Sequence, residues 1–179
     1  MFVVVAPPYA NAAEHILQML DGLEANLPAL LDEPDRWDTL DVNYEPPRVE
    51  RLWMDLDGHR VYLHRIHPCE KALFHPHPWP SAIKIVSGSY EMGVGYGPGD
   101  AAPPEAARIR LSAGSSYVMV EPDGWHYVRP LGPEPSLSIM VTGERWERWS
   151  PKPSYKLHEL SPENRRALIA DFKSHYPRR

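Results

Sequence analysis

The chain has 179 residues, 42% of them hydrophobic, which suits one domain with short extensions and a core that needs no disulfide staples. A net charge of −5 supplies no basic stripe and argues against nucleic acid as the partner, while the lone Cys69 excludes an internal disulfide and points to a cytoplasmic setting. The 21 prolines are scattered rather than clustered, which excludes a mostly helical chain and favours short strands joined by many turns.

The apolar opening Met1–Ala6 has no basic flank and stops at Pro7-Pro8, too short for a signal peptide or a membrane span. Its Phe2–Val5 segment has the character of a strand that can pair with another sheet edge, and with it comes the expectation of a homodimer. Residues 11–31 read as a helix. Asn11 caps it, Glu14 completes a box-like start, and Ile16, Leu20, Leu23, Leu27 and Leu30 make one apolar stripe. Pro28 is expected to break or kink it near its end. Residues 1–45 are thus a helical extension.

From residue 46 to 150 the texture is that of a β domain. Eight short runs rich in β-branched and aromatic residues are predicted as strands: 51–54, 60–67, 82–86, 90–96, 107–111, 116–120, 126–129 and 137–142. Turn signals such as Asp57-Gly58, Ser87-Gly88 and Asp123-Gly124 separate them, and Gly97–Pro104 reads as a long hairpin loop. That spacing predicts an antiparallel sandwich or barrel. Residues 151–179 form a tail with a second helix, capped by Ser161 with Pro162 in its first turn, that docks Leu168, Ile169 and Phe172 onto the barrel.

The chemistry concentrates in Phe74-His75-Pro76-His77-Pro78-Trp79. On an extended strand, residues two apart share a face, and the two imidazoles converge on one point. A polyproline II path, which the flanking prolines allow, splays them apart. A third histidine follows a strand and a turn in Pro122-Asp123-Gly124-Trp125-His126.

These segments, with Ile85, Val86 and Gly88 between them, resemble the two motifs of the cupin superfamily over residues 50 to 145, roughly. The resemblance implies a double-stranded β-helix barrel and one divalent metal ion held by His75, His77 and His126. The chain also departs from the motifs. Cys69 stands for the opening Gly, Ser81 for the usual Glu ligand, and Pro130 for the closing Asn, and the second motif is one residue short before His126. Loss of the glutamate leaves three neutral imidazoles, a set suited to iron, nickel, copper or zinc and unsuited to calcium. Glu91, one strand on, is the available substitute ligand, although a solvent-facing role suits it better.

A six-coordinate ion with three histidines keeps three positions open, two for a bidentate substrate and one for dioxygen. The set is similar to that of the thiol dioxygenases and of small dioxygenases that cleave diketones or hydroxyketones, and iron(II) is the expected metal. Arg51 sits near where the thiol dioxygenases keep an arginine for the substrate carboxylate. Ser138 matches the first residue of their Ser-x-His-x-Tyr strand, whereas Met140 and Thr142 replace the histidine and tyrosine.

Only one of His64 and His67 can face inward, and either reads better as a supporting or surface residue than as a ligand. Arg65, on the face of Val61 and Leu63, is an anion clamp if that face is the interior. Trp79 and Trp125 flank the ligands as possible pocket walls. The expected function is iron-dependent dioxygenation of a small chelating substrate: a thiol acid, diketone or hydroxyketone. An isomerase or epimerase of sugar-like acids is the second reading, favoured by an inward Glu91 or His64 as acid or base. A non-catalytic ligand-binding barrel is the third.

Overall fold

The computed structural model describes residues 10–147 and 150–177. The expected Phe2–Val5 strand lies outside them. Among the described residues, helix α1 (Ala10–Leu30) and a 3-10 turn (Pro34–Arg36) precede ten strands: β1 (Asp38–Val42), β2 (Val49–Leu56), β3 (His59–Ile66), β4 (His75–Pro76), β5 (Ser81–Ser87), β6 (Ser89–Tyr96), β7 (Ala107–Ser112), β8 (Ser116–Met119), β9 (Gly124–Pro130) and β10 (Ser136–Thr142). Helix α2 (Pro162–His175) closes the order. A six-stranded sheet runs β1-β2-β3-β10-β5-β8 and a four-stranded sheet runs β4-β9-β6-β7, with every pairing antiparallel.

All eight expected strands are present, each within about two residues of its predicted bounds. The two additional strands lacked the usual signals: β1 carries Asp at two of its five positions, and β4 is two residues between prolines. Strand β1 is the outer neighbour of β2, with Leu40 opposite Arg51.

The six-stranded sheet separates two environments by the period of two along each strand. Leu52, Met54, Val61, Leu63, Ala82, Ile139 and Val141 point outward into one cluster with both helices. There α1 contributes Ile16, Leu20, Leu23, Leu27 and Leu30, the predicted stripe, and α2 contributes Leu168, Ile169 and Phe172. Burying a side chain of this size stabilises the fold by about 1.5–3 kcal/mol, so the helices are part of the domain's stability.

Helix α1 begins one residue earlier than expected, placing Asn11 in its first turn instead of at its cap, and it continues through Pro28 to Leu30. At α2 the Asn164 backbone N–H donates to Ser161 Oγ at 3.1 Å, as the cap requires. No helix among the described residues is long and apolar enough to cross a membrane. The alternate residues of the sheet face the four-stranded sheet, and the space between the two holds the site.

Candidate metal centre

Strand β4 is short, but it places His75 directly opposite His126 of β9. His77, just past the end of β4, comes to the same side. The ring centroids lie 5.5 Å apart for His75 and His77, 5.0 Å for His75 and His126, and 4.6 Å for His77 and His126. One nitrogen from each ring falls within 4.8 Å of the other two. The imidazoles of the His-Pro-His segment therefore converge on one point, as the extended reading expected.

Gly88, in the β5–β6 turn between the two histidine segments, has φ of +79°, and a Cβ there would meet Ser136 Oγ at 2.7 Å. Glycine is needed on both counts, which accounts for its place in the motif.

Two of the rings are held through Nδ1. His75 Nδ1 lies 2.9 Å from the Leu73 carbonyl, which only an N–H can satisfy, so its Nε2 carries the free lone pair. His77 Nδ1 lies 3.0 Å from Ser81 Oγ. Ser81 is fully buried and occupies the glutamate position of the motif, where it orients the His77 ring. The Nε2 atoms of His77 and His126 face each other at 3.0 Å. Two nitrogens at 90° about an ion with bonds of about 2.1 Å lie about 3.0 Å apart, against about 3.4 Å at the tetrahedral angle.

Desolvation lowers the pKa of all three imidazoles, that of His77 to about 3, with mutual repulsion among them adding to the effect for His77 and His126. They are therefore neutral at physiological pH, the form that ligates. The donor set, its protonation and its spacing all fit a divalent metal site.

Ser81→Ala would leave His77 Nδ1 without its partner. Metal affinity is expected to fall about 10- to 100-fold, measured by competition with a chelator. An unchanged affinity would mean that something else orients His77.

The three histidines form one wall of a cavity of about 230 Å³. The opposite wall is a row across the inner face of the six-stranded sheet. Arg51 of β2 pairs with His64 of β3, His64 pairs with Ser138 of β10, and all three line the cavity. The loop Tyr44–Pro47 and Pro151 stand at its edge. Among the described residues, four side-chain atoms are buried without a hydrogen-bond partner: Arg51 Nε, His64 Nε2, Trp79 Nε1 and His126 Nδ1. All four belong to residues lining this cavity.

Arg51 lies over the Tyr62 ring at 5.0 Å and makes no ion pair with a carboxylate among the described residues. Burial holds its guanidinium below its ordinary pKa, with Tyr62 and Tyr44 acting in the opposite sense. Burial, then Arg51 and His77, keep His64 well below the ordinary histidine value.

Other expected site residues lie elsewhere. Arg65 does share a face with Val61 and Leu63, but that is the helix-covered face, where it bonds Glu50 at 2.6 Å and Asp171 of α2 at 2.8 Å. It is a strut between sheet and helix, not an anion clamp of the cavity. His67 contacts the same Glu50 at 2.8 Å. Glu91 points away from the histidines to Arg129 at 2.9 Å and Tyr127 at 3.3 Å. Trp125 packs on Phe74 and donates its indole N–H to the Gly97 carbonyl, so Trp79, not Trp125, borders the site.

Tyr117 was missed by the sequence reading. Its only signal was a place on the inner side of β8, opposite Ile83.

No protein-family model matches the chain, and no curated protein matches it either. Among solved structures, Fe(II)-HppE with the alternative substrate (S)-1-HPP superposes with a TM-score of 0.50 at 16% identity, covering 62% of this chain and 57% of that one. The fold is a cupin barrel. Hydroxypropylphosphonic acid epoxidase from S. wedmorenis gives 0.47 at 18% identity over 62% and 56% of the two chains. KdgF from Halomonas sp. gives 0.45 at 19% identity over 62% and 92%. The matched part of this chain spans a little over half the length of the epoxidase chains.

Proposed function

We propose that this cupin is a non-haem iron dioxygenase acting on a small chelating acid. The observation that carries the reading is the facing pair of walls: three neutral imidazoles with no carboxylate ligand on one side, and Arg51 on the other. A buried cation without an anionic partner is costly. An acid bound in the cavity supplies that partner while its second polar group reaches the metal. Among the expected substrates this favours a thiol acid or another acid carrying a carbonyl or hydroxyl group.

When bound, iron(II) supplies open positions for substrate and dioxygen and the electrons for reducing oxygen. The chain's own residues do the rest. Arg51 and Ser138 hold the acid, His64 offers a neutral imidazole beside it, and the apolar Ile66, Ile83, Val128 and Met140 exclude bulk water.

An isomerase is the second reading, and His64 is the observation in its favour. This imidazole is inward, neutral and unpartnered at Nε2, as a proton-transferring base would be. Oxygen separates the two readings. Anaerobic iron-loaded protein is screened with small thiol, hydroxy and keto acids, beside diketones and hydroxyketones that lack the acid group, and oxygen uptake is followed after air is admitted. Uptake that requires both iron and substrate and is lost in His126→Ala supports the dioxygenase. A compound that is rearranged without oxygen consumption gives the isomerase instead.

A further inference from the structure

The hydroxyls of Tyr90 and Tyr117 lie 3.2 Å apart inside the barrel. Tyr90 is 0% exposed and packed among Ile66, Ile85 and Met92, so the Tyr117 oxygen is the one acceptor its proton has among the described residues. Tyr90 therefore donates. A hydroxyl carries a single proton, and Tyr117, once it accepts from Tyr90, has its own left to give elsewhere. Burial pushes the Tyr117 phenol up to about 12, which keeps that proton in place at physiological pH.

Tyr117 lines the histidine cavity, its ring 6.2 Å from that of His126. Its other side borders a second cavity, whose lining includes Ser116 and Glu121 beside Met92, Val94, Val118 and Val120.

We propose that Tyr117 donates a hydrogen bond to the oxygen with which a chelating acid reaches the metal, and so selects acids whose second polar group is a hydroxyl or carbonyl. This rests on the reading of the cavity as the site of a small chelating acid. Tyr90 is the positioning residue, because it accounts for the direction in which Tyr117 points.

Zinc-loaded protein, in which no redox turnover intervenes, is titrated calorimetrically with glycolate, pyruvate and thioglycolate. Tyr117→Phe should weaken glycolate and pyruvate about tenfold, the scale of one hydrogen bond, and thioglycolate less than about twofold, since sulfur is a poor acceptor. Tyr90→Phe, which frees Tyr117 to turn its hydroxyl, should weaken glycolate and pyruvate about threefold and leave thioglycolate within about twofold. Because Tyr117→Phe orphans the buried Tyr90 hydroxyl, Tyr90→Phe/Tyr117→Phe is tested beside it and should show the same selective loss in a core without that orphan. Equal losses for the three acids, or none, would overturn the role given to Tyr117 and leave the chelating-acid reading standing. Failure of the wild-type protein to bind any of them would overturn both.

Discussion

Changing both His75 and His77 to alanine is expected to abolish stoichiometric metal binding and leave the barrel folded. The three imidazoles are the proposed ligands, and no carboxylate joins them among the described residues. Removing two leaves a single neutral donor, too few to hold a divalent ion at protein concentrations. Each single alanine variant, His126→Ala included, should lower affinity by about 100-fold or more, beyond the range typical for loss of a supporting residue. The fold should survive because the cluster joining α1, α2 and the six-stranded sheet lies on the opposite side of that sheet. Metal content by elemental analysis, with circular dichroism as the folding control, decides the matter. Full metal content in the double variant would mean that the ion is held elsewhere.

The barrel was legible because strand period and turn chemistry agree along most of the chain. Alternation in 60–67 and 137–142, punctuated by Asp57-Gly58 and Ser87-Gly88, left little else for those residues to be. Strand β4 was not legible as a strand, since two residues between prolines carry no pattern. Its pairing with β9 is a tertiary effect.

The three histidines were found through spacing and order. The opposite wall was harder to read, because alternation gives two faces without saying which is inside. Arg65 and His64 are adjacent, and one step of register decides between an external strut and a cavity wall. The helices settle it. They cover the Val61 and Leu63 face, turning Arg65 toward Asp171 and leaving His64 and Arg51 within the barrel. Tyr117 was invisible for a different reason: its importance depends on Tyr90, 27 positions away, having no other acceptor.

Acid should destabilise the metal-free protein well before its carboxylates titrate. His64, His75, His77 and His126 are all held below their ordinary pKa by desolvation, and His77 at about 3. In the unfolded chain the same groups titrate near 6.5. As pH falls below about 6.5 the unfolded state therefore takes up protons that the folded state refuses, and stability drops; above about 7 both states are neutral and the effect vanishes. For His77, whose folded value of about 3 lies far below that window, the loss is about 1.4 kcal/mol per pH unit, roughly 2 kcal/mol at pH 5, and the other three act in the same direction. Glu50 works in the same direction but later. Hydrogen bonds from Arg65 and His67 outweigh its desolvation and hold its carboxyl below the usual value of 4.5, so its contribution is lost only at more acid pH. Metal opposes the histidine effect, because protons and the ion compete for the same nitrogens. Denaturant titrations at pH 7.5 and 5.0, without metal, should show the loss in wild type and a smaller one in His126→Ala. A wild-type stability that is flat between those pH values would show that the imidazoles are not held neutral, and the case for a preformed neutral ligand set would fall with it.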